Sequence, residues 1–408
     1  MKTQFLIAAP MSGSGKTTVA RMLMELYVRK GRRVQPFKCG PDYIDTKFHE
    51  AVCGRPSVNL DTFMASPQHV REVYDRYSQD ADVCIVEGMM GMYDGYDRDR
   101  GSSAEIARLL DIPVVLVVDA KSAAYSMAPL LYGFTHFTPP SGEARGGLLK
   151  IAGVIFNKVG SARHQAMLRQ VCSDLGLHCL ACIPRDKELE QGSRYLGLDF
   201  SDISPLSPPE EGKKSSSSLR GNKKVVVARN AESFSFIYQE TLDALGDVTF
   251  FDPETEVPYL DDCQLLYLPG GYPEKHVEAL VRNETARQAI KDYAEHGGRI
   301  IAECGGMMYL CNKIVSDEGE HPMCGVLPYT ITARQADRKL SLGYRQFTLD
   351  GKEYRGHEFH YTQFLGDVPP SVCQVFDAKG QPVGTPVFRY KNVLASYTHL
   401  YLNETNIY

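Results

Sequence analysis

The sequence predicts two consecutive α/β domains, and three observations carry that prediction. Short runs rich in Val and Ile, apolar on both faces, recur through the first half at Phe5–Ala9, Val83–Val86, Val114–Val118 and Ile151–Phe156. Strands of a parallel sheet covered on both sides read this way. The composition then breaks at Ser201–Lys224, where three prolines, a four-serine run and mixed charge cannot supply a core. A second α/β series follows the break. The expected organisation is a first domain over 1–200, a linker over 201–223 and a second domain over 224–408.

The individual elements follow in order. The opening Phe5–Ala9 run is too short for the apolar part of a signal peptide and leads straight into glycines, so it reads as a strand. Thr17–Lys30 has apolar residues at helical spacing and ends at Gly31, a C-terminal cap. Strands alternating with helices predict a doubly wound parallel sheet. Pro139–Lys150 reads as an insert on a surface loop. In the second half, strands are expected at Val225–Ala228, Leu265–Leu268 and Arg299–Ala302, with one helix around Lys275–His296.

Composition sets limits on function. A net charge of -5 on 408 residues excludes a general nucleic-acid binder, so an anionic ligand needs local cations. No apolar stretch reaches transmembrane length, which argues against a membrane partner. Eleven scattered cysteines without an export signal point to reduced thiols in the cytoplasm. Asn283-Glu284-Thr285 and Asn403-Glu404-Thr405 are then chance matches to the glycosylation pattern.

Pro10-Met11-Ser12-Gly13-Ser14-Gly15-Lys16-Thr17-Thr18 lies between the first strand and the first helix, the context of a phosphate-binding loop. Backbone N–H groups of Gly13, Ser14, Gly15 and Thr18 can curl round phosphate oxygens at a positive helix end. Lys16 then reaches the outer phosphates, and the Thr17 hydroxyl binds Mg²⁺. Pro10 stands where the general pattern has its first glycine. Glu87, closing the strand Val83–Val86, is placed to hold that metal, the alternative being a turn or cap. Lys38 and Pro41-Asp42-Tyr43-Ile44-Asp45 come at the same sheet edge. Asn157-Lys158 either contacts the adenine base or makes a turn.

The second half carries a nucleophile pattern. Arg299–Ala302, Glu303, then Cys304-Gly305-Gly306 reads as a strand, a cysteine and glycines opening a helix. Such a turn holds the thiol at the sheet edge, and the helix N-terminus is expected to lower its pKa. N–H groups near Gly305, with those of Gly270 and Gly271 in Leu268-Pro269-Gly270-Gly271-Tyr272, would form an oxyanion hole. His399 is the candidate base, although a lone histidine near a C-terminus is usually a packed or surface side chain. Cys179-Leu180-Ala181-Cys182 has metal-like spacing but no second pair, and reads as a buried strand ending at Pro184. His357-Glu358-Phe359-His360 is one residue short of a zinc-binding helical pair and reads as a site-lining segment.

The motifs SGSGKTT, PFKCGPDYIDTKFH, VEGMMGMYDG, GVIFNKVGS, LPGGYPE, AECGGMMYL, RGHEFHY and ASYTHLY, in this order, resemble the cobyrinic acid a,c-diamide synthase family of cobalamin biosynthesis. The likeness spans nearly the whole chain outside the linker and the 139–150 insert. It implies an ATP-binding synthetase domain, dethiobiotin-synthetase-like, followed by a class I glutamine amidotransferase domain. It implies ATP, Mg²⁺ and glutamine as the means of amidating the a and c acetates of a corrinoid. By this resemblance Lys16 and Lys38 act at the phosphates, and Thr17, Asp45 and Glu87 surround Mg²⁺. Asp42, Tyr43, Ile44 and Asp94 lie beside the substrate carboxylate, and Cys304 with His399 forms the glutaminase pair. Partners are small molecules, with a homodimer compatible with the reading.

Three residues depart from the family pattern: Asn230 for a usual Asp, Tyr195 for a usual His, and Tyr401 where other class I amidotransferases place the glutamate that orients the histidine. The third member of that triad is unassigned by sequence. Two rival readings are the same reaction on another tetrapyrrole, as in nickel-sirohydrochlorin a,c-diamide synthase or cobyric acid synthase, and a P-loop regulatory ATPase with a degenerate amidotransferase module.

Overall fold

The computed structural model describes residues 2–139, 148–185, 224–366 and 370–403. The chain divides into two compact units, Met1–Pro209 and Glu210–Tyr408. The expected linker, Tyr195 and most of the 139–150 insert lie outside the described residues.

The first unit is a seven-stranded, all-parallel sheet. Its strands are β1 (Thr3–Ala8), β2 (Val34–Cys39), β3 (Val58–Leu60), β4 (Val83–Glu87), β5 (Val114–Asp119), β6 (Ile151–Val159) and β7 (Cys179–Pro184), in the order β3-β2-β4-β1-β5-β6-β7. The helices are α1 (Lys16–Arg29), α2 (Asp45–Cys53), α3 (Pro67–Ser78), α4 (Ser103–Leu110), α5 (Met127–His136) and α6 (Ala162–Asp174). Leu6, Ile7 and Ala8 of the central β1 are fully buried, as the both-faces-apolar pattern requires. Gly31, in the left-handed region, follows α1 as expected of a C-terminal glycine. The order reverses between β4 and β5, on either side of β1, and this switch point opens the crevice where the loop after β1 sits. One expectation fails here: β7 is an edge strand, half exposed along its length and not buried.

The second unit combines a mainly parallel sheet with a mixed one and an antiparallel one. Its elements begin with β8 (Lys224–Ala228), α7 (Gln239–Leu245), β9 (Val248–Phe251), β10 (Cys263–Leu268), α8 (Val277–Arg282), α9 (Glu284–Glu295), β11 (Ile300–Glu303) and α10 (Gly305–Leu310). There follow β12 (Cys311–Ser316), β13 (Gly319–Pro322), β14 (Leu327–Thr332), β15 (Ser341–Leu349), β16 (Lys352–His360), β17 (Gln363–Phe364) and β18 (Val375–Phe376). The last are β19 (Pro382–Val383), β20 (Val387–Tyr390), β21 (Val393–Ser396) and β22 (His399–Leu400). The main sheet runs β20-β21-β11-β10-β8-β9, parallel except at β20. Ile300 and Ala302 pack into the core with α9 and α10, while Ile301 on the other face meets Phe347, Tyr354 and Leu400. A second sheet, β19-β18-β15-β16-β22, thus covers the face where a doubly wound fold has helices. Its β15–β16 hairpin turns at Asp350-Gly351, both with positive φ, the conformation a tight twisted hairpin needs.

The single helix expected around Lys275–His296 is two. Asn283 separates α8 from α9, its side-chain oxygen accepting from the Ala286 N–H and its amide donating to the Pro253 and Glu256 carbonyls. Asparagine satisfies a helix start better than it continues one.

Candidate active sites

The loop between β1 and α1 leaves Met11, Ser12 and Gly13 exposed and Ser14 and Lys16 buried. Gly15 caps α1 with φ 98°, and a Cβ there would lie 2.2 Å from the Asn157 amide nitrogen. That amide donates to the Ser14 carbonyl at 3.1 Å, so Asn157 braces the loop from β6. Thr18 lies in the first turn of α1. Lys16 Nζ donates to the Met90 carbonyl across the crevice. Burial, then the neighbouring Lys38, lowers its pKa.

Behind the loop lies a dense ion network. Thr17 Oγ1 is 2.6 Å from Glu87 Oε1 and 3.4 Å from Asp45 Oδ2. Lys38, near the end of β2, contacts Asp45, Glu87 at 3.1 Å and Asp42 at 3.7 Å. Burial alone would depress the Lys38 pKa, but Asp45, Glu87 and Asp42 hold it well above the ordinary range. Burial also works against charge on Glu87, yet Lys38 and His49 keep it below its usual value. Asp45, by contrast, is pushed well up by burial and by Glu87. Like charges in one buried site cannot both ionise with a single ammonium between them. His49, fully buried on α2, bonds Glu87 Oε2 at 2.7 Å through Nε2 and Ser57 at 3.0 Å through Nδ1.

Asp42 has a double role. One carboxylate oxygen accepts from the Ile44 and Asp45 N–H groups at the start of α2, while the other faces Lys38. It therefore caps α2 and joins the ion network through Lys38. Tyr43 and Ile44 are largely buried, and Asp94 is exposed, accepting from the Gly91 N–H at 2.9 Å.

These residues fit Mg²⁺. Thr17, Asp45 and Glu87 offer hard oxygens converging on a point where Lys38 now supplies positive charge, and a dication would let both carboxylates ionise. Among the described residues no cluster of three or more His, Cys, Asp or Glu forms a metal cage by itself. Mg²⁺ commonly completes its shell with phosphates and water.

In the second unit, β11 is followed directly by Cys304, whose φ of 45° and ψ of -105° are strained for a side chain with a Cβ. The Cys304 N–H donates to the Ser396 carbonyl at 2.8 Å, locking the turn onto β21. The loop Gly270-Gly271 bridges this turn and the histidine. A Cβ on Gly305 would meet Pro273 and the Gly271 backbone at 2.7–3.0 Å, and one on Gly270 would meet His399 Cε1 at 2.1 Å. Cys304, Gly305, Gly270, Gly271 and His399 therefore gather at one place, all closely packed. His399, on β22, is buried, and burial followed by His357 and His360 lowers its pKa well below the ordinary value.

The thiol corrects an expectation. Burial, then Glu274, raises the Cys304 pKa well above normal, and the lowering influence of the Gly305 N–H is smaller. α10 has only six residues, and it starts inside the core, where desolvation outweighs its end charge. The resting pair is a neutral thiol and a neutral imidazole, so activation requires proton transfer between them.

Comparison with known proteins bears on both units. Residues 5–197 match the CobQ/CobB/MinD/ParA nucleotide binding domain, and residues 224–407 match the CobB/CobQ-like glutamine amidotransferase domain. The hydrogenobyrinate a,c-diamide synthase of Brucella abortus is 36% identical, the alignment covering 97% of this chain and 98% of that protein. The cobyrinate a,c-diamide synthase of Caldanaerobacter subterraneus is 34% identical over 98% and 95% of the two chains. The hydrogenobyrinate a,c-diamide synthase of Pseudomonas aeruginosa is 35% identical over 97% and 94%. The chain belongs to the a,c-diamide synthase family.

As a family member it has a nucleotide-binding unit and a glutamine amidotransferase unit, each with one constellation. No helix among the described residues is long and apolar enough to cross a membrane. Four residues around the two sites escaped the sequence reading. His49 holds Glu87 and Ser57 in turn holds His49, and a signal for His49 existed: it lies four residues after Asp45, on the same face of α2. Glu274 and Glu303 flank the thiol electrostatically, and Glu303 is the residue next to it. Nothing in their spacing marks either one. The Cys179 and Cys182 sulfurs lie 3.7 Å apart on β7.

Proposed function

We propose that this protein amidates the a and c acetate carboxylates of cobyrinic acid or of its metal-free counterpart, using ATP, Mg²⁺ and glutamine in the cytoplasm. The observation that carries this reading is the pairing, in one chain, of a phosphate loop backed by Lys38, Asp45 and Glu87 with a thiol turn linked to His399 through the closely packed Gly270-Gly271 loop.

In the first unit the substrate carboxylate attacks the γ-phosphorus of ATP, giving an acyl phosphate and ADP. Lys16 and the loop N–H groups hold the phosphates in line, and positioning with charge stabilisation supplies most of the acceleration. Thr17, Asp45 and Glu87 would hold Mg²⁺, which when bound neutralises charge on the phosphate oxygens. Lys38, beside these carboxylates at the same sheet edge, would meet the transferring phosphoryl group. Asp42, Tyr43, Ile44 and Asp94 border the acceptor carboxylate.

In the second unit His399 takes the Cys304 proton as the sulfur attacks the glutamine carboxamide carbon. N–H groups of Gly270, Gly271 and Gly305 receive the oxyanion, and His399 returns the proton to the departing ammonia. Water then clears the glutamyl thioester. Ammonia displaces phosphate from the acyl phosphate and leaves the amide.

The test is incubation with ATP, Mg²⁺, glutamine and either cobyrinic or hydrogenobyrinic acid, with products read by mass spectrometry. Two acid-to-amide exchanges on one of them are expected. Glutamine consumption with neither acid modified would overturn the substrate assignment. The relatives carry both substrate names, so the two acids are assayed side by side.

A further inference from the structure

We propose that His357 is the positioning residue for His399, fixing the plane of its ring by stacking so that it can take the Cys304 proton. The inference deepens the glutaminase reading above and rests on it.

The strand register brings the two histidines together. β16 and β22 pair antiparallel with His357 directly opposite His399, so both side chains leave the same face. Their rings lie nearly parallel, with centroids 5.0 Å apart and an interplanar angle of 18°. The preceding residue makes this approach feasible: a Cβ on Gly356 would fall 2.0 Å from the His399 carbonyl oxygen. Any larger residue at 356 would push β22 away from β16 and open the stack.

His357 is itself held. Its Nδ1 and the Tyr238 hydroxyl are 2.9 Å apart, both side chains being buried. Tyr238 packs edge-on against Tyr401, centroids 5.6 Å apart, and the Tyr401 hydroxyl donates to Glu240. Phe236, two residues before Tyr238, lies against His399 at 6.0 Å. One short segment therefore presents one aromatic ring to each histidine. The Gly270 backbone closes another edge of the His399 ring.

Three buried carboxylates nearby bond other groups. Glu358 takes Arg345, His360 and Thr385, Glu240 takes Tyr401, and Glu303 takes the Tyr267 hydroxyl at 2.9 Å. Burial, with Arg345 beside it, pushes His357 down to about 3, so it is a neutral ring at working pH. A neutral stacked ring fixes orientation without supplying charge, and a base misplaced by about 1 Å costs on the order of 100-fold in rate.

The test uses the full chain. Glutamine hydrolysis, labelling of Cys304 by a diazo-ketone glutamine analogue, and ammonia-dependent synthesis are measured for wild type, His357→Leu, His357→Phe and Tyr238→Phe. His357→Leu is expected to lower kcat for glutamine about 100-fold, with KM within about threefold and ammonia-dependent synthesis retained. His357→Phe, which keeps a ring opposite His399, should recover to within about tenfold of wild type, and Tyr238→Phe should lose several-fold in kcat alone. A wild-type kcat in His357→Leu, a change confined to KM, or equal damage in the Leu and Phe variants would overturn the proposal. If His357→Leu also loses ammonia-dependent synthesis, Tyr238→Phe decides, and an unchanged kcat there overturns it. Failure of the glutaminase reading looks different: wild-type protein would neither hydrolyse glutamine nor take the label at Cys304.

Discussion

The two sites solve the problem of buried chemistry in opposite ways. Behind the phosphate loop, Lys16, Lys38, Asp42, Asp45 and Glu87 are crowded together; ammonium, hydroxyl and imidazole partners sustain the Glu87 carboxylate, while Asp45 is pushed towards its neutral form. Around the thiol, Cys304, His399 and His357 rest uncharged, held by close backbone and stacked rings. The difference follows from the reactions. Phosphoryl transfer handles permanent charge, so its site must carry compensating charge at rest. Thiol attack creates charge only in passing, so its site can stay neutral and rely on shape. Removing a charge should therefore cripple the first site, while disturbing a shape should cripple the second.

The largest expected effect tests the charged side. Lys16→Ala should lower amidation by about a thousandfold or more with either glutamine or ammonium as nitrogen source. Glutamine hydrolysis, assayed separately as glutamate release, should persist. Near-normal ammonia-dependent synthesis in this variant would remove Lys16 from the phosphate chemistry.

Next is the neutral site. Cys304→Ala should abolish glutamine-dependent synthesis and labelling by the glutamine analogue, while synthesis from ammonium salt stays within about twofold of wild type. Its ammonium-dependent rate should rise with pH as more NH₃ is present. Retained glutamine use would refute the nucleophile, and loss of both activities would show that the substitution disrupts more than the thiol.

A smaller effect probes how a carboxylate is held. His49→Ala should leave Glu87 Oε2 without its 2.7 Å partner and weaken Mg²⁺ dependence of ATP turnover about 10- to 100-fold. Glu87→Gln should do at least as much. A Mg²⁺ titration is the readout, and superimposable curves for wild type and both variants would move the metal to other oxygens.

The smallest effect concerns stability. Burial pushes the Glu303 carboxyl from 4.5 up to about 8, with Tyr267 donating to it. The folded protein then keeps a proton that the unfolded chain releases between those values. Stability from this group is present below pH 4.5 and declines as pH rises towards 8, by on the order of a few kcal/mol. Glu303→Gln should flatten that decline in denaturant midpoints measured across the window. An unchanged pH slope would show that Glu303 ionises freely in the folded state.

Several elements were legible and some signals went unread. The strands Val83–Glu87 and Val114–Asp119 appear within a residue of where their apolar runs placed them. The Asp350-Gly351 hairpin carried a local signal, yet its importance lies in where it puts β16, which no local pattern states. The break at Asn283 was also local, masked by the apolar spacing that continues across it.

The sequence by itself determined the two α/β units, the phosphate loop with Lys16 and Thr17, and the strand–Cys304–glycine turn. These are contiguous devices: a few successive residues set backbone direction and donate the N–H groups, so adjacency along the chain is adjacency in space. Only the tertiary structure decided that β7 is an edge, that Cys304 rests protonated, that His49 holds Glu87 and that His357 stacks on His399. Those outcomes depend on desolvation and on registers between distant strands, quantities fixed by what packs over a residue and not by which residues adjoin it.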